Sequence, residues 1–303
     1  MSGLGLGLGL GLGAHRKVGG AGNKPATFSI AAGFANAGTK RINFSEPVTV
    51  TMTGGVTLHI DGTPYQSGAT IPVAAGLYHT LTITNPGADA GTITFGKRKQ
   101  VTYLYLANLL SSVITGDITG MKLTRLTLAG LISSVITGDI TGMKLTVLNL
   151  QVLSSSVAIT GDITGMELEY LRLTDIGSSV ITGKITGMES TILYLNGIGS
   201  SLTYGTSSLN ITNNLGIQLL GNTVFATAEE YAQLIHDAAN GTWGGKHPFV
   251  ITAGTNLNCP DWDTVKADVA TLLDKAAWTV IPSAWLTTGG GSWPLNWQEY
   301  TGE

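Results

Sequence analysis

A six-residue motif that returns at a nearly fixed interval constrains this chain more than any other feature. Gly-Asp-Ile-Thr-Gly-Met begins at Gly116, Gly138 and Gly161, and Gly-Lys-Ile-Thr-Gly-Met at Gly183, giving spacings of 22, 23 and 22 residues. Leu-x-Leu pairs share the period: Leu104/Leu106, Leu126/Leu128, Leu148/Leu150, Leu171/Leu173 and Leu193/Leu195, with Ile217/Leu219 continuing the series. A unit this short cannot bury its apolar side alone and does so only by stacking on its neighbours. The expected architecture is a solenoid in which each turn contributes one parallel strand.

The columns of the repeat carry different expectations. Met121, Met143, Met166 and Met188 form one apolar residue per turn, which reads as core packing. Asp117, Asp139 and Asp162 share a column and are expected to stack about 5 Å apart on a solvated edge, with Lys184 ending the row. Residues between and beside the paired leucines do not repeat: Tyr103, Tyr105, Arg125, Asn149, Gln151, Tyr170, Arg172, Tyr194, Asn196 and Gln218. By strand alternation these point out of the sheet. Tyrosine, arginine and amide side chains on a rigid, concave face suit recognition of a protein or a glycan, so these ten residues are the candidate binding surface.

Before the repeats the chain alternates apolar and polar positions from Ala26 to about Gly96, punctuated at Gly54-Gly55, Asp61-Gly62, Ser67-Gly68 and Asn85-Pro86-Gly87. This pattern predicts a small all-β domain, a β-sandwich. Ahead of it, Leu4, Leu6, Leu8, Leu10 and Leu12 alternate with single glycines. In an extended segment all five fall on one face, the shape of a strand added to another protein's sheet, and the peptide is the candidate anchor. Its basic residues follow the apolar stretch, the reverse of a secretory signal.

After Asn222 the pattern becomes helical. Thr227 with Glu230 makes a capping box, Asn240-Gly241 a stop, and a second helix fits Asp261 to Ala277 before a strand at Trp278–Ile281. The expected organisation is residues 1–25 as anchor and hinge, 26–98 as the β domain, 99–222 as the solenoid, and 223–303 as an α/β cap with an aromatic tail.

Composition narrows the function. Charged residues make up 12% and mean hydropathy is +0.25, so the chain is not a disordered charged tail. Thr, Ser and Gly interrupt every apolar segment, so no helical membrane span is expected. Lys and Arg are too sparse for a nucleic-acid surface. The stretch Gly91–Lys97 has the G-x-x-x-x-G-K spacing, but Arg98 stands where Ser or Thr would bind magnesium. His59 and His79 read as structural, as do Asp261 and Asp263 beside Trp262. With no catalytic constellation, the chain is expected to be non-enzymatic, with no cofactor and no metal.

The repeats resemble leucine-rich repeats, and most closely the variety with L-T-G-x-I after the strand, here Ile114-Thr115-Gly116-Asp117-Ile118 and its copies. One column departs: the turn asparagine of that family is replaced by Leu109, Leu131, Leu153, Ile176 and Ile198, returning only at Asn222. The chain as a whole resembles virion proteins of phages infecting gut Bacteroidetes and related bacterial surface proteins. The Gly-Leu opening and the closing Ala277-Trp278-Thr279-Val280 carry that resemblance. It implies a tail fibre or appendage in an oligomeric assembly, held to other virion proteins through its N-terminus and displaying its repeats for host attachment. The alternative is a bacterial surface adhesin of the same repeat class.

Overall fold

The computed structural model describes residues 20–110, 113–185, 192–196, 198, 202–204, 216–220, 225, 227–245, 247–251, 260, 262–276 and 279–280. Eight strands precede the repeats: β1 (Pro25–Ile30), β2 (Thr39–Phe44), β3 (Val48–Thr53), β4 (Thr57–Ile60), β5 (Thr63–Tyr65), β6 (Thr70–Ile71), β7 (His79–Thr84) and β8 (Gly91–Lys97). The repeats supply β9 (Val101–Ala107), β10 (Ile114–Asp117), β11 (Arg125–Leu131), β12 (Val135–Asp139), β13 (Val147–Leu153), β14 (Ala158–Asp162), β15 (Tyr170–Thr174), β16 (Val180–Ile185), β17 (Ile192–Asn196), β18 (Leu202–Tyr204) and β19 (Ile217–Leu220). Helix α1 (Ala228–Asn240), β20 (Phe249–Ile251), α2 (Trp262–Lys275) and β21 (Thr279–Val280) complete the described elements.

The protein is mostly β, with a parallel-strand solenoid of about four turns. Each turn contributes two strands, which corrects the expectation of one. The Leu-x-Leu segments form one parallel array, β9, β11, β13, β15, β17 and β19, which β20 and β21 extend; the Ile-Thr-Gly segments form a second, β10, β12, β14 and β16, which β18 extends. The second strand exists because Val135-Ile136-Thr137 and its equivalents are rich in β-branched residues, burying the isoleucine and leaving the threonine outside. Both arrays continue into the antiparallel strands before them. β2 pairs with β9, and β1 pairs with β10, so neither array begins with a bare edge. Inward residues of both sheets, from Ala26 to Ala276, belong to one buried cluster.

The repeated hexapeptide is explained residue by residue. In the first sheet the leucines pair in step with the repeat, Leu126 with Leu148. In the second, Asp117 pairs with Thr137, Asp139 with Thr160 and Asp162 with Thr182, an offset of two residues from the repeat. The expected stack of carboxylates therefore does not form, because each aspartate lies opposite a threonine. The same offset sets Gly138 against Ile118 and Gly161 against Ile140 of the preceding turn, at φ of +154° and +148°, where a side chain would collide. The following Ile-Thr-Gly-Met closes a tight turn, Met143 N–H donating to Ile140 O at 3.0 Å, with Gly142 at φ +74° in the third position. Met121, Met143 and Met166 are buried as expected; Met188 lies outside the described residues.

Aspartate and threonine link successive turns. The Thr141 N–H donates to Asp139 Oδ1 (2.8 Å), and the Asp162 N–H donates to Thr141 Oγ1 (3.1 Å). The same relay joins Asp117, Thr119 and Asp139, and it ends where the Lys184 N–H donates to Thr164 Oγ1 (2.9 Å). At its start the cation is Arg98, whose guanidinium lies 2.7 Å from Asp117 Oδ2 and also donates to the carbonyls of Thr119 and Pro25. The column that replaces the turn asparagine is apolar and buried at Leu109, Leu131, Leu153 and Ile176. Next to it runs a corner of left-handed residues, Asn108, Gly130, Val152 and Asp175. Three of these types tolerate that conformation, whereas Val152, β-branched and half-exposed, holds it under strain.

The relay carries a pH dependence. Burial would raise the Asp117 carboxyl, but bonds from the Thr119 amide and hydroxyl and the Arg98 charge outweigh it and hold it below the usual carboxylate range. The Thr164 hydroxyl and amide lower Asp162 in the same way. A group whose pKa is lower folded than unfolded stabilises fully above its unfolded value, about 4 for aspartate, and ceases to as pH falls through the folded one. The unfolding temperature is expected to drop as pH falls below about 4, and Asp117→Asn should flatten that drop. Scanning calorimetry across this range is the check; an unchanged profile for the variant would remove Asp117 from the account.

The C-terminal elements match their sequence signals. Thr227 caps α1, its hydroxyl accepting from Glu230 N–H while the Glu230 carboxylate accepts from Thr227 N–H. The second helix spans Trp262–Lys275 and packs on α1. Tyr204 of β18 donates to Asp237 of α1 at 2.9 Å, fastening the helix to the end of the second sheet.

Candidate binding face

The strand register arranges the candidate residues in three lines across the outer face of the Leu-x-Leu sheet. The central line runs Arg41, Tyr105, Thr127, Asn149, Arg172, Tyr194 and Gln218, from β2 to β19. Beside it lie Asn43, Tyr103, Arg125, Val147, Tyr170 and Ile192 on one flank. On the other lie Thr39, Ala107, Ala129, Gln151, Thr174, Asn196 and Leu220. All ten expected residues thus share one face. Each is half-buried, because neighbouring side chains cover one another.

Two arginine–tyrosine assemblies stand on this face. The Arg41 guanidinium lies 4.4 Å from the ring centre of Tyr78 and 5.0 Å from that of Tyr105, while Tyr78 and Tyr103 pack with centroids 5.4 Å apart. Burial raises the Tyr103 hydroxyl, and a hydrogen bond with Arg41 partly opposes this. Farther along, Arg172 lies 4.6 Å from the centre of the Tyr194 ring. Such stacking leaves a planar guanidinium fixed in orientation, which a lysine would not be. The Nε atoms of both arginines are buried without a hydrogen-bond partner among the described residues. Arg125 differs, since Glu169 at the start of β15 lies 3.6 Å from it. Between the two assemblies the surface is low and polar: Thr127 is nearly buried, and Gln151 donates to Asn149 at 2.5 Å.

Arg41 and Tyr78 are not among the residues that the sequence points to. Arg41 lies 64 positions before Tyr105, and only the pairing of β2 with β9 brings them together. The available signal is the alternation in Arg41-Ile42-Asn43-Phe44, which places Arg41 and Asn43 on the outer face.

Other sequence candidates resolve differently. His79 is buried, with its ring nitrogens 2.6 Å from Asp61 Oδ2 and 2.9 Å from the Pro72 carbonyl oxygen, a structural role. Gly91–Lys97 is β8, an extended strand and not a phosphate-binding loop. Among the described residues no cluster of three or more His, Cys, Asp or Glu could hold a metal ion, and no helix is long and apolar enough to cross a membrane. The anchor candidates Leu4, Leu6, Leu8, Leu10 and Leu12, together with Asp261 and the Trp293/Trp297 tail, lie outside the described residues.

No family model matches the chain, and neither a curated protein nor a solved structure does.

Proposed function

We propose that this chain is a non-enzymatic virion protein of a phage, a tail fibre or other appendage, that attaches its particle to a host surface through the open face of the Leu-x-Leu sheet. On this reading the turns belong to the leucine-rich class and the antiparallel strands before them form a small sandwich. The Gly-Leu peptide joins the chain to other virion proteins within an oligomeric assembly. The observation that carries the reading is the in-register line from Arg41 to Gln218, with two arginine–tyrosine stacks held on a continuous sheet. Aromatic and arginine side chains ordered before binding lose little entropy on contact, which is why they dominate recognition surfaces.

The test is attachment of particles, or adhesion of the isolated full chain to host cells, for a Tyr105→Ala/Arg172→Ala/Tyr194→Ala variant. Losing a central aromatic or arginine contact costs about 2 kcal/mol, so attachment is expected to fall by at least roughly thirtyfold. These side chains are half-buried, so a modest fall in unfolding temperature accompanies the loss, and binding is compared well below it. Wild-type attachment by the triple variant would exclude this face, and absence of the chain from purified particles would exclude the virion assignment.

A further inference from the structure

The chemistry of the open face defines a class of ligand. The protein carries a formal net charge of −3, yet the three lines of side chains from β2 to β19 contain three arginines and no acid. Arg125 is offset by Glu169 at the strand edge. Among the described residues Arg41 and Arg172 have no such carboxylate on the face; each is stacked on tyrosine, and its Nε is buried with no acceptor among those residues. A guanidinium held flat against a tyrosine ring with no carboxylate beside it keeps its charge available to an anion, and the planar fork suits a carboxylate or sulfate.

Four strand intervals separate the two arginines, about 19 Å at the usual strand spacing. The surface between them offers the Tyr105 ring, the Thr127 hydroxyl and the Asn149 and Gln151 amides, a mixture of flat apolar area and hydrogen-bonding groups. The backbone of every interior strand is engaged in its ladder, so an extended peptide laid on this face would find no main-chain partners. A chain of hydroxyl-rich rings needs none.

We propose that the open face binds an anionic oligosaccharide, with acidic groups held at Arg41 and Arg172 and sugar rings lying over the tyrosine and amide side chains between them. This rests on the reading of the same face as the attachment site, and it names what that site recognises. One ligand spanning both arginines explains why two separate stacks stand in one line with low residues between them.

The experiment is titration calorimetry of the full chain with two matched pairs of probes: short dextran sulfate against dextran, and oligogalacturonate against its methyl ester. Polyglutamate is the peptide control. Binding of one charged sugar, with its neutral counterpart at least roughly tenfold weaker, is expected, and the charged partner that binds separates sulfate from carboxylate recognition. Arg172→Gln should weaken that binding about tenfold or more, and Arg172→Lys should recover only part of it. The proposal is overturned if neither charged sugar binds, if a neutral sugar binds equally, or if polyglutamate binds as tightly. Host-cell adhesion separates the two readings. Adhesion lost in the Tyr105/Arg172/Tyr194 variant but indifferent to both charged sugars overturns the saccharide and leaves the attachment site standing. Adhesion unchanged in that variant overturns both.

Discussion

Gly138→Ala is expected to destabilise the protein by about 2–6 kcal/mol, although the change adds a single methyl group. Two effects combine. At φ +154° an L-residue is strained by about 1–3 kcal/mol. The new Cβ would also meet Ile118 Cγ1 of the preceding turn and lie 3.0 Å from the Thr119 nitrogen, and overpacking of this kind costs about 1–3 kcal/mol. The backbone atoms cannot yield, because the Ile118 N–H is bonded to the Thr137 carbonyl at 2.9 Å. A fall of about 4–12 °C in unfolding temperature follows, at roughly 2 °C per kcal/mol for a chain of this size. Gly142→Ala is the internal control. That glycine has positive φ, but an added methyl group would find nothing within 4 Å, so only the strain applies. Calorimetry on the two variants separates the terms. Equal losses would mean that the two-residue offset between neighbouring turns does not bring their backbones together at Gly138.

The second large effect is topological. Deleting residues 138–160 removes one whole turn and rejoins Thr137 to Gly161-Asp162, so the Ile-Thr-Gly-Asp sequence is restored at the junction. Leu128 then faces Leu173, and the aspartate relay passes from Thr119 to Asp162. A solenoid turn touches only its neighbours, so the shortened protein should keep a single cooperative transition a few degrees lower. Deleting residues 138–148 instead removes β13's first leucine with the Gly-Asp-Ile-Thr-Gly-Met corner and leaves Asn149-Leu150 where a corner must form. Every inward side chain beyond the junction leaves its column, and loss of the cooperative transition is expected. Circular dichroism melting of both variants decides it, and comparable behaviour of the two would be incompatible with stacked, interchangeable turns.

Much of this architecture is legible in the sequence because it is local and repeated. The Thr227–Glu230 box predicts the start of α1 and the structure has it there, since a cap involves only residues three apart. The Leu-x-Leu columns name the inner face of the first sheet because alternation on a strand depends on nothing beyond the strand itself. The outward positions of Tyr105, Arg172 and Tyr194 follow from the same rule. The repeat also announces that turns stack, though its Ile-Thr-Gly-Asp segment reads as a charged edge and is a second strand. The motif looks like a turn because glycine and aspartate are turn residues, and their use for close approach and for the relay is invisible until neighbouring turns are set side by side.

What the amino-acid sequence determined by itself was therefore the period, the inward columns, the helix cap and the side of the strand on which each face residue lies. Each follows from interactions within a few residues, where backbone geometry leaves little choice. The tertiary structure alone decided the two-residue offset that turns Gly138 and Gly161 into contact points, the pairing of Asp117 with Arg98, and the enclosure of Arg41 by tyrosines from β7's approach and β9. These depend on how two sheets and the antiparallel strands before them pack around one core. Such packing is set by the summed fit of side chains distant in sequence, for which no local pattern in the chain is a record.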